Sequence, residues 1–340
     1  MNNSAVSVVV TCHNLERYIG AAIDSVLGQN YSGPVEILVV DDASTDNSAA
    51  VIQSRDQVRY LPTPNNLGVL MATVFGMREA SGDLVFFLDG DDVWHPDKLR
   101  FAVVCFEVDA DLGLLTHDLE YIDGDGALLA RVSRPSQVMP VATADDDATI
   151  RDGILLHSDY VWLGSAYAIR RSKVDADGFC AWAEQLSDPF NTYQDWPLAY
   201  WAASRKDVRM GYLPKKLFQY RVHAANYSGN ASDPEKALRN VRRTRNTMQA
   251  IERIALAERL STPAMRATRR KLCYYNCLVD LYEGRRLSAL RGFSMSLPYL
   301  FSSTENPVKE LVRFAGVQLL GLRGFISSVN RWHRACGANS

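Results

Sequence analysis

The chain begins as an alternation of short, mostly apolar runs and amphipathic stretches. Residues 7–11 form a β-branched run that stops at Cys12, His13 and Asn14. Over 15–29, Leu15, Tyr18, Ile19, Ala22, Ile23, Val26 and Leu27 recur at helical spacing, and Gly28 and then Gly33-Pro34 close the segment. A second apolar run at 35–40 ends in Asp41 and Asp42, after which Ser44 or Thr45 is suited to cap a helix reaching about residue 54. Residues 58–61 predict a short strand, 69–80 a helix, and 84–88 a further apolar run. Runs this short and this apolar, 84–88 at every position, read as strands buried on both faces of a parallel sheet. The alternation predicts a doubly wound α/β unit.

The run at 84–88 ends in Asp89-Gly90-Asp91-Asp92. In open α/β sheets the ligand lies beyond the carboxyl ends of the strands, which puts these carboxylates at the mouth of the sheet. Three carboxylates so close repel one another unless protons or a cation intervene. Oxygen ligands suit Mg²⁺ or Mn²⁺, commonly shared with substrate phosphates. No Gly-x-Gly-x-x-Gly follows the first strand and no Gly-x-x-x-x-Gly-Lys-Ser/Thr is present, so neither a dehydrogenase-type dinucleotide site nor a P-loop is expected.

Beyond residue 110 the pattern is less regular. Strands are expected at 112–116, 164–169, 208–212 and 217–221, and a helix from Asp195 to about residue 204. The acidic run 145–147 reads as a solvated loop. The six cysteines show no paired metal-ligand spacing; Cys273 and Cys277 share a helical face and read as packed. No apolar run approaches a membrane span, and a reduced, cytoplasmic protein is the expectation.

The net charge of −2 conceals an asymmetry: residues 236–340 carry 19 Lys+Arg and 6 Asp+Glu, a balance of +13 against −15 for the remainder. A split of this size indicates different partners for the two parts. The division is expected near residue 232, with a catalytic domain at 1–232 and a basic α-helical region at 233–340.

Taken together, residues 7–14, Asp41-Asp42-Ala43-Ser44-Thr45-Asp46, Asn66-Leu67-Gly68-Val69, Leu88-Asp89-Gly90-Asp91-Asp92, Gln194-Asp195 and Tyr220-Arg221-Val222-His223 resemble, in order, the motifs of the inverting GT-A glycosyltransferases of family 2. The resemblance covers roughly residues 5–230 and implies a Rossmann-like mixed sheet. It implies that Thr11 and Asn14 border the base, and that Asp42 or Asp41 accepts from its ring N–H. Asn66 and Gly68 would flank the nucleotide, and Asp89 would contact ribose or metal-bound water. Asp91 and His223 would ligate a divalent cation, Mn²⁺ or Mg²⁺, on the diphosphate of the donor, by default a UDP-sugar. Asp195 would be the general base. The family often has an acid before that aspartate; here Gln194 stands instead. Trp162, Gly164, Ser165 and Trp196 fall in stretches expected on the acceptor side.

The basic region interleaves arginines with apolar residues on long helices, which suits either an anionic membrane surface or a second subunit. No nucleic-acid motif accompanies it. The function expected is transfer of a sugar to a saccharide acceptor, lipid-linked or free, in surface polysaccharide assembly. Two rivals stand beside it: a polyprenyl-phosphate glycosyltransferase, which usually carries membrane spans that this chain lacks, and a non-catalytic nucleotide-sugar-binding assembly partner.

Overall fold

The structure is a computed structural model and describes residues 4–130, 147–157, 163–223, 226, 233–302 and 307–336. It divides into two compact units, residues 1–225 and 226–340.

The first unit follows the predicted alternation. In chain order it contains β1 (Val6–Cys12), α1 (Ile19–Leu27), β2 (Val35–Asp41), α2 (Ser48–Gln53), β3 (Arg59–Pro62), α3 (Val69–Glu79), β4 (Leu84–Asp89), β5 (Val93–Trp94), α4 (Lys98–Val108) and β6 (Leu112–Ile122). Then come α5 (Asp147–Asp152) with a π-helical turn at Gly153–His157, a 3₁₀ turn at Gly164–Ala166, β7 (Ala168–Arg170), α6 (Arg171–Val174), α7 (Ala176–Glu184), α8 (Asp195–Ser204) and β8 (Arg209–Arg221). The strands form one mixed sheet in the order β3-β2-β1-β4-β7-β6-β8-β5. β3, β2, β1 and β4 are parallel, and β7 runs antiparallel between β4 and β6.

Both faces of the parallel half are covered, which is why its strands are mostly apolar. Val8, Val10, Val39, Phe86 and Leu88 on one face join Ile19 and Ile23 of α1, Ile52 of α2 and Leu99 and Phe106 of α4 in a single core. On the other face Gly76 brings α3 onto the sheet; a Cβ there would lie 2.3 Å from Val9 Cγ1 and 3.1 Å from Val40 Cγ2. The register sets Thr11 opposite both Val40 and Asp89, and Cys12 opposite Asp41, so the polar strand ends lie at one edge.

Three local expectations are corrected. Neither Ser44 nor Thr45 caps the second helix: it begins at Ser48 after Asn47, and the Asp46 carboxylate accepts the Ser48 N–H at 3.0 Å. The two strands expected at 208–221 are one strand whose pairing with β6 jumps from Leu213 to Lys216, leaving Pro214 and Lys215 as a bulge. Proline has no N–H for the ladder, and a bulge is where a strand tolerates it. The strand expected at 164–169 opens instead as the 3₁₀ turn. Of the acidic run 145–147, only Asp147 lies in the described residues, at the start of α5.

The second unit contains α9 (Pro234–Ala257), α10 (Thr262–Tyr282), α11 (Arg286–Ser302) and α12 (Pro307–Cys336), the last broken at Gly321. Asp233 caps α9 by accepting the Glu235 and Lys236 N–H groups. Cys277 is buried and its thiol donates to the Ala289 carbonyl at 3.2 Å, a packing role as expected.

Candidate active site

Gly90 lets the acidic turn after β4 fold onto the end of β1. Its N–H donates to the Thr11 carbonyl at 2.9 Å, and a Cβ would stand 2.7 Å from that oxygen. The turn sends its three carboxylates to three different places. Asp91 faces His223, with Oδ2 and Nε2 3.0 Å apart and the imidazole 6% exposed. Asp89 accepts from the Thr11 hydroxyl at 3.4 Å and from the Gln194 amide at 3.2 Å. Burial, then the charges of Asp91 and Asp195, push its carboxyl up to about 7.

Asp92 is fully buried and gathers the surrounding walls. Its Oδ1 accepts the Arg221 N–H at 2.9 Å and its Oδ2 the Ser165 hydroxyl at 2.6 Å. Ser165 Oγ in turn accepts the Asp89 N–H at 3.0 Å. The Arg221 side chain donates to the Asp91 carbonyl at 2.8 Å and to the Asp123 carbonyl at 3.2 Å. Beneath lies Lys98, also fully buried, its ammonium donating to the Ser165 carbonyl at 2.5 Å and lying 3.9 Å from the centre of the Trp94 ring. Burial, then the charges of Asp91 and Asp89, push Asp92 well above the ordinary value; burial pushes Lys98 well below its own, against the pull of the Asp92 charge.

His223 is set against α1 rather than left in a free loop. Its ring packs on Tyr18 with centroids 4.5 Å apart, and the Arg221 guanidinium lies 5.0 Å from the Tyr18 ring centre. Asp195 occupies the first turn of α8, where its Oδ1 accepts the Trp196 N–H at 2.9 Å. Burial raises its carboxyl to about 7. Gln194, 9% exposed, bridges this turn to Asp89 and fills the space that Gly164 leaves; a Cβ on Gly164 would come within 2.8 Å of its Nε2.

At the ends of β1 and β2, several side chains expected to meet a ligand brace loops. Both Asp42 oxygens accept backbone N–H groups, from Leu67 at 2.7 Å and Gly68 at 2.9 Å. Asp41 accepts the Ser44 N–H and the Tyr60 hydroxyl, both at 3.0 Å. The two residues are 4% and 2% exposed. Gly68, at φ +81°, has the Phe190 backbone where a Cβ would be, so the room there is already taken. Asn14, at φ +55°, holds the Thr45 N–H at 2.7 Å. The exposed ring of His13 joins this rim: Nδ1 meets the Asp42 carbonyl at 2.7 Å and Nε2 meets the Asn66 amide nitrogen at 2.9 Å. A carbonyl only accepts and an amide NH₂ only donates, so the hydrogen belongs on Nδ1.

The profile of the family described as Glycosyl transferase family 2 matches residues 7–115. An uncharacterised glycosyltransferase of Nostoc sp. is 31% identical over 235 residues, 65% of this chain and 66% of that protein. The chain belongs to glycosyltransferase family 2. An Escherichia coli relative, UDP-Glc:alpha-D-GlcNAc-diphosphoundecaprenol beta-1,3-glucosyltransferase WfgD, is 35% identical over 105 residues, 30% of this chain and 41% of its own length. The chain thus spans about two thirds or less of these curated relatives. Among solved structures, S. aureus TarS 1-349 in complex with UDP superposes with a TM-score of 0.56 at 17% identity, covering 93% of this chain and 80% of that one. The mannosyltransferase PcManGT from Pyrobaculum calidifontis, in complex with GDP-Man and Mn²⁺, gives 0.50 at 16% identity, covering 97% and 87%. At such identities the likeness concerns the fold, which is GT-A.

Within this family 2 chain the structure brings together Thr11, Asp89, Asp91, His223 and, through Gln194, Asp195. Ser165, expected on the acceptor side, is instead wholly buried as the tie between Asp92 and Asp89, and Gly164 is buried behind Gln194. Trp196 is half-buried, its ring centroid 6.4 Å from that of Tyr193. Trp162 lies outside the described residues. The sequence places Asp92 at the sheet mouth with Asp89 and Asp91, and His13 and Arg221 inside the motifs, but assigns no contact to these three or to Tyr18 and Lys98. Nothing local marks Lys98: a lysine two residues after a proline looks like a surface residue until the contacts are seen.

Proposed function

We propose that the chain transfers a sugar from a nucleoside diphosphate sugar, with UDP as the nucleotide, to a hydroxyl of a saccharide acceptor with inversion at the anomeric carbon. The observation that carries this reading is the pairing of Asp91 with His223 at the sheet mouth, joined through Asp89 and Gln194 to the turn that bears Asp195. The donor set fits a divalent cation: one carboxylate and one imidazole at 3.0 Å, with Asp89 beside them. Among the described residues no cluster of three such side chains would enclose a cation alone, so a diphosphate would complete the coordination. The imidazole favours Mn²⁺ over Mg²⁺, and the Mn²⁺ held by the mannosyltransferase neighbour supports that choice. When bound, the cation supplies Lewis-acid stabilisation of the leaving diphosphate.

The chain's own residues supply the rest. Asp195 takes the proton of the acceptor hydroxyl as its oxygen forms the new bond to the anomeric carbon. The electron pair of the breaking C–O bond leaves with the diphosphate. A carboxyl raised to about 7 is a stronger base than an ordinary aspartate and still ionises near neutral pH. Attack opposite the leaving group inverts the centre and needs only this one carboxylate. The rim of His13, Asn14 and the half-buried Asn66 is assigned to the base, with Asp42 holding the loop that carries Asn66.

The UDP bound by TarS supports the nucleotide, and the acceptor named for the E. coli relative supports a lipid-linked saccharide in surface polysaccharide assembly. Such an acceptor sets the reaction at the cytoplasmic face of a membrane. No helix among the described residues is long and apolar enough to cross one, so the association would be peripheral. The test is a thermal-shift panel of UDP, GDP, dTDP and CMP with and without Mn²⁺. A bound ligand raises apparent stability by mass action, about 2.7 kcal/mol at a hundredfold excess over Kd. Stabilisation by UDP that requires Mn²⁺ and disappears in Asp91→Ala is expected; no shift with any nucleotide would sink the reading.

A further inference from the structure

The second unit has its own core, in which Val241, Tyr274, Cys277, Leu278, Phe314 and Val317 are buried together. Phe293 of α11 stacks on Phe314 of α12 with ring centroids 3.9 Å apart. A helix that gives one face to a core ordinarily turns polar residues outward on the other. α12 does not. With Phe314 and Val317 turned inward, its outward positions include Leu311, Val312, Ala315 and Leu319, at i, i+1, i+4 and i+8, and Leu319 is 80% exposed. α11 repeats the arrangement: Ala289 and Ser296 are buried while Leu287 and Met295 are 80% and 70% exposed. Among the described side chains of α11 and α12, every charged one is an arginine. Arg286, Arg291 and Arg323 are exposed and have no acidic partner among the described residues, whereas Arg285 is taken up by Asp280 and Glu283.

We propose that the outward faces of α11 and α12 dock on the surface of an anionic lipid bilayer. The leucines would enter the boundary between headgroups and acyl chains, and the three arginines would meet lipid phosphates. Charge decides between this occupant and a second copy of the chain. A two-fold interface sets the same patch against itself and would gather unpaired arginines of like sign around it; an anionic surface answers them. The unit as a whole, with 19 Lys+Arg against 8 Asp+Glu over residues 226–340, adds a long-range attraction of the same sense. The surface extends the lipid-linked-acceptor reading, on which it rests for its setting. Its assay contains no sugar nucleotide, so the two can fail separately.

The experiment is sedimentation of the full chain with vesicles of phosphatidylcholine alone or mixed with phosphatidylglycerol. The chain should pellet with the mixed vesicles only, and less so as salt is added. Leu311→Glu/Leu319→Glu should weaken partition by more than ~10-fold, and Arg286→Glu, Arg291→Glu and Arg323→Glu by about fivefold each. Each variant should keep the parent's melting temperature and its response to UDP with Mn²⁺. Recovery of the parent chain in the supernatant with both lipids would overturn the proposal, as would binding indifferent to the leucine substitutions. Self-association that Leu319→Glu abolishes, without vesicle binding, would give the face to a second copy instead.

Discussion

Strands β1 to β4 and strands β6 to β8 share one sheet but present their polar residues by different rules. In the parallel half each strand is a nearly uninterrupted apolar run, and the residues just past its end inherit a fixed place from the register. Thr11 and Asp89 are neighbours because β1 and β4 pair over their whole length. In the other half the strands run in mixed directions, β8 carries a bulge, and the residues facing the site hang on side-chain contacts across more than 100 positions of sequence. His223 meets Asp91, Gln194 meets Asp89 and the Arg221 N–H meets Asp92 in this way. One half supplies carboxylates on a rigid frame; the other supplies what decides how those carboxylates behave.

The largest effect that would sharpen this contrast falls on Asp195, the candidate base contributed by the second half. Asp195→Asn keeps the size of the side chain and its bond to the Trp196 N–H but cannot take a proton. It should lower kcat by about 10²–10⁴-fold while leaving the Mn²⁺-dependent response to UDP unchanged. In the parent, the base must be ionised, so kcat/KM should fall roughly tenfold per pH unit as the pH drops below about 7. Full turnover in Asp195→Asn would move the chemistry elsewhere. Loss of UDP binding in the variant would mean that Asp195 serves the donor rather than the acceptor.

Next in size is Asp92, where the two halves are tied. Asp92→Ala strands the Arg221 N–H and the Ser165 hydroxyl in a buried place and leaves Lys98 without its nearby carboxylate. Each unsatisfied group costs about 1–3 kcal/mol, so a loss near 3 kcal/mol in chemical denaturation is expected. Asp92→Asn retains an acceptor for Arg221 and should recover part of that loss. If Asp92 positions the walls and does more than hold the fold, Asp92→Asn should also weaken the Mn²⁺-dependent response to UDP, although the hydrogen bonds of Asp92 itself run to Arg221 and Ser165. A stability loss without that second effect would reduce Asp92 to a structural tie.

This division also explains what could be read from the sequence. The parallel half was legible because burial on both faces leaves a clear mark, short runs with few polar residues, and because acids directly after such runs have only one place to go. The family resemblance implies that His223 and Asp91 share a cation, and the two side chains lie 3.0 Å apart. The roles of Asp41, Asp42, Gly164 and Ser165 were not legible, because a polar residue that braces a loop and one that meets a ligand look alike in a sequence. What separates them is the partner: Asp42 spends both oxygens on backbone N–H groups of a loop some 25 residues away. Lys98 and Arg221 were hidden for a related reason. Their burial is tolerated only because carbonyls from distant segments receive their hydrogen bonds, and nothing local announces it.

The smallest expected effect bears most directly on whether the second half tunes the first. Gln194 directly precedes the candidate base, and its amide donates to Asp89, a carboxylate already raised to about 7 by burial and by Asp91 and Asp195. Gln194→Glu replaces that donor with an acceptor of nearly the same shape, so the packing against Gly164 is kept and the electrostatics are reversed. With no cation present, both carboxylates repel when ionised. The variant should therefore be about 1–2 kcal/mol less stable than the parent at pH 8, with the gap closing as the pH falls and one of the two takes up a proton. The sign follows from linkage: carboxyls raised further in the folded state bind protons that the unfolded chain has already lost, so the penalty grows as pH rises through the folded value. Melting curves of both proteins from pH 5 to pH 8 test this directly. A constant difference across that range would assign Gln194 to packing alone, and would mean that Asp89 owes its state to its own half of the sheet. A difference that widens with pH would make Gln194 a neutral prop that spares Asp89 another negative neighbour, placing part of the control over the acidic turn on a helix that begins more than 100 residues later.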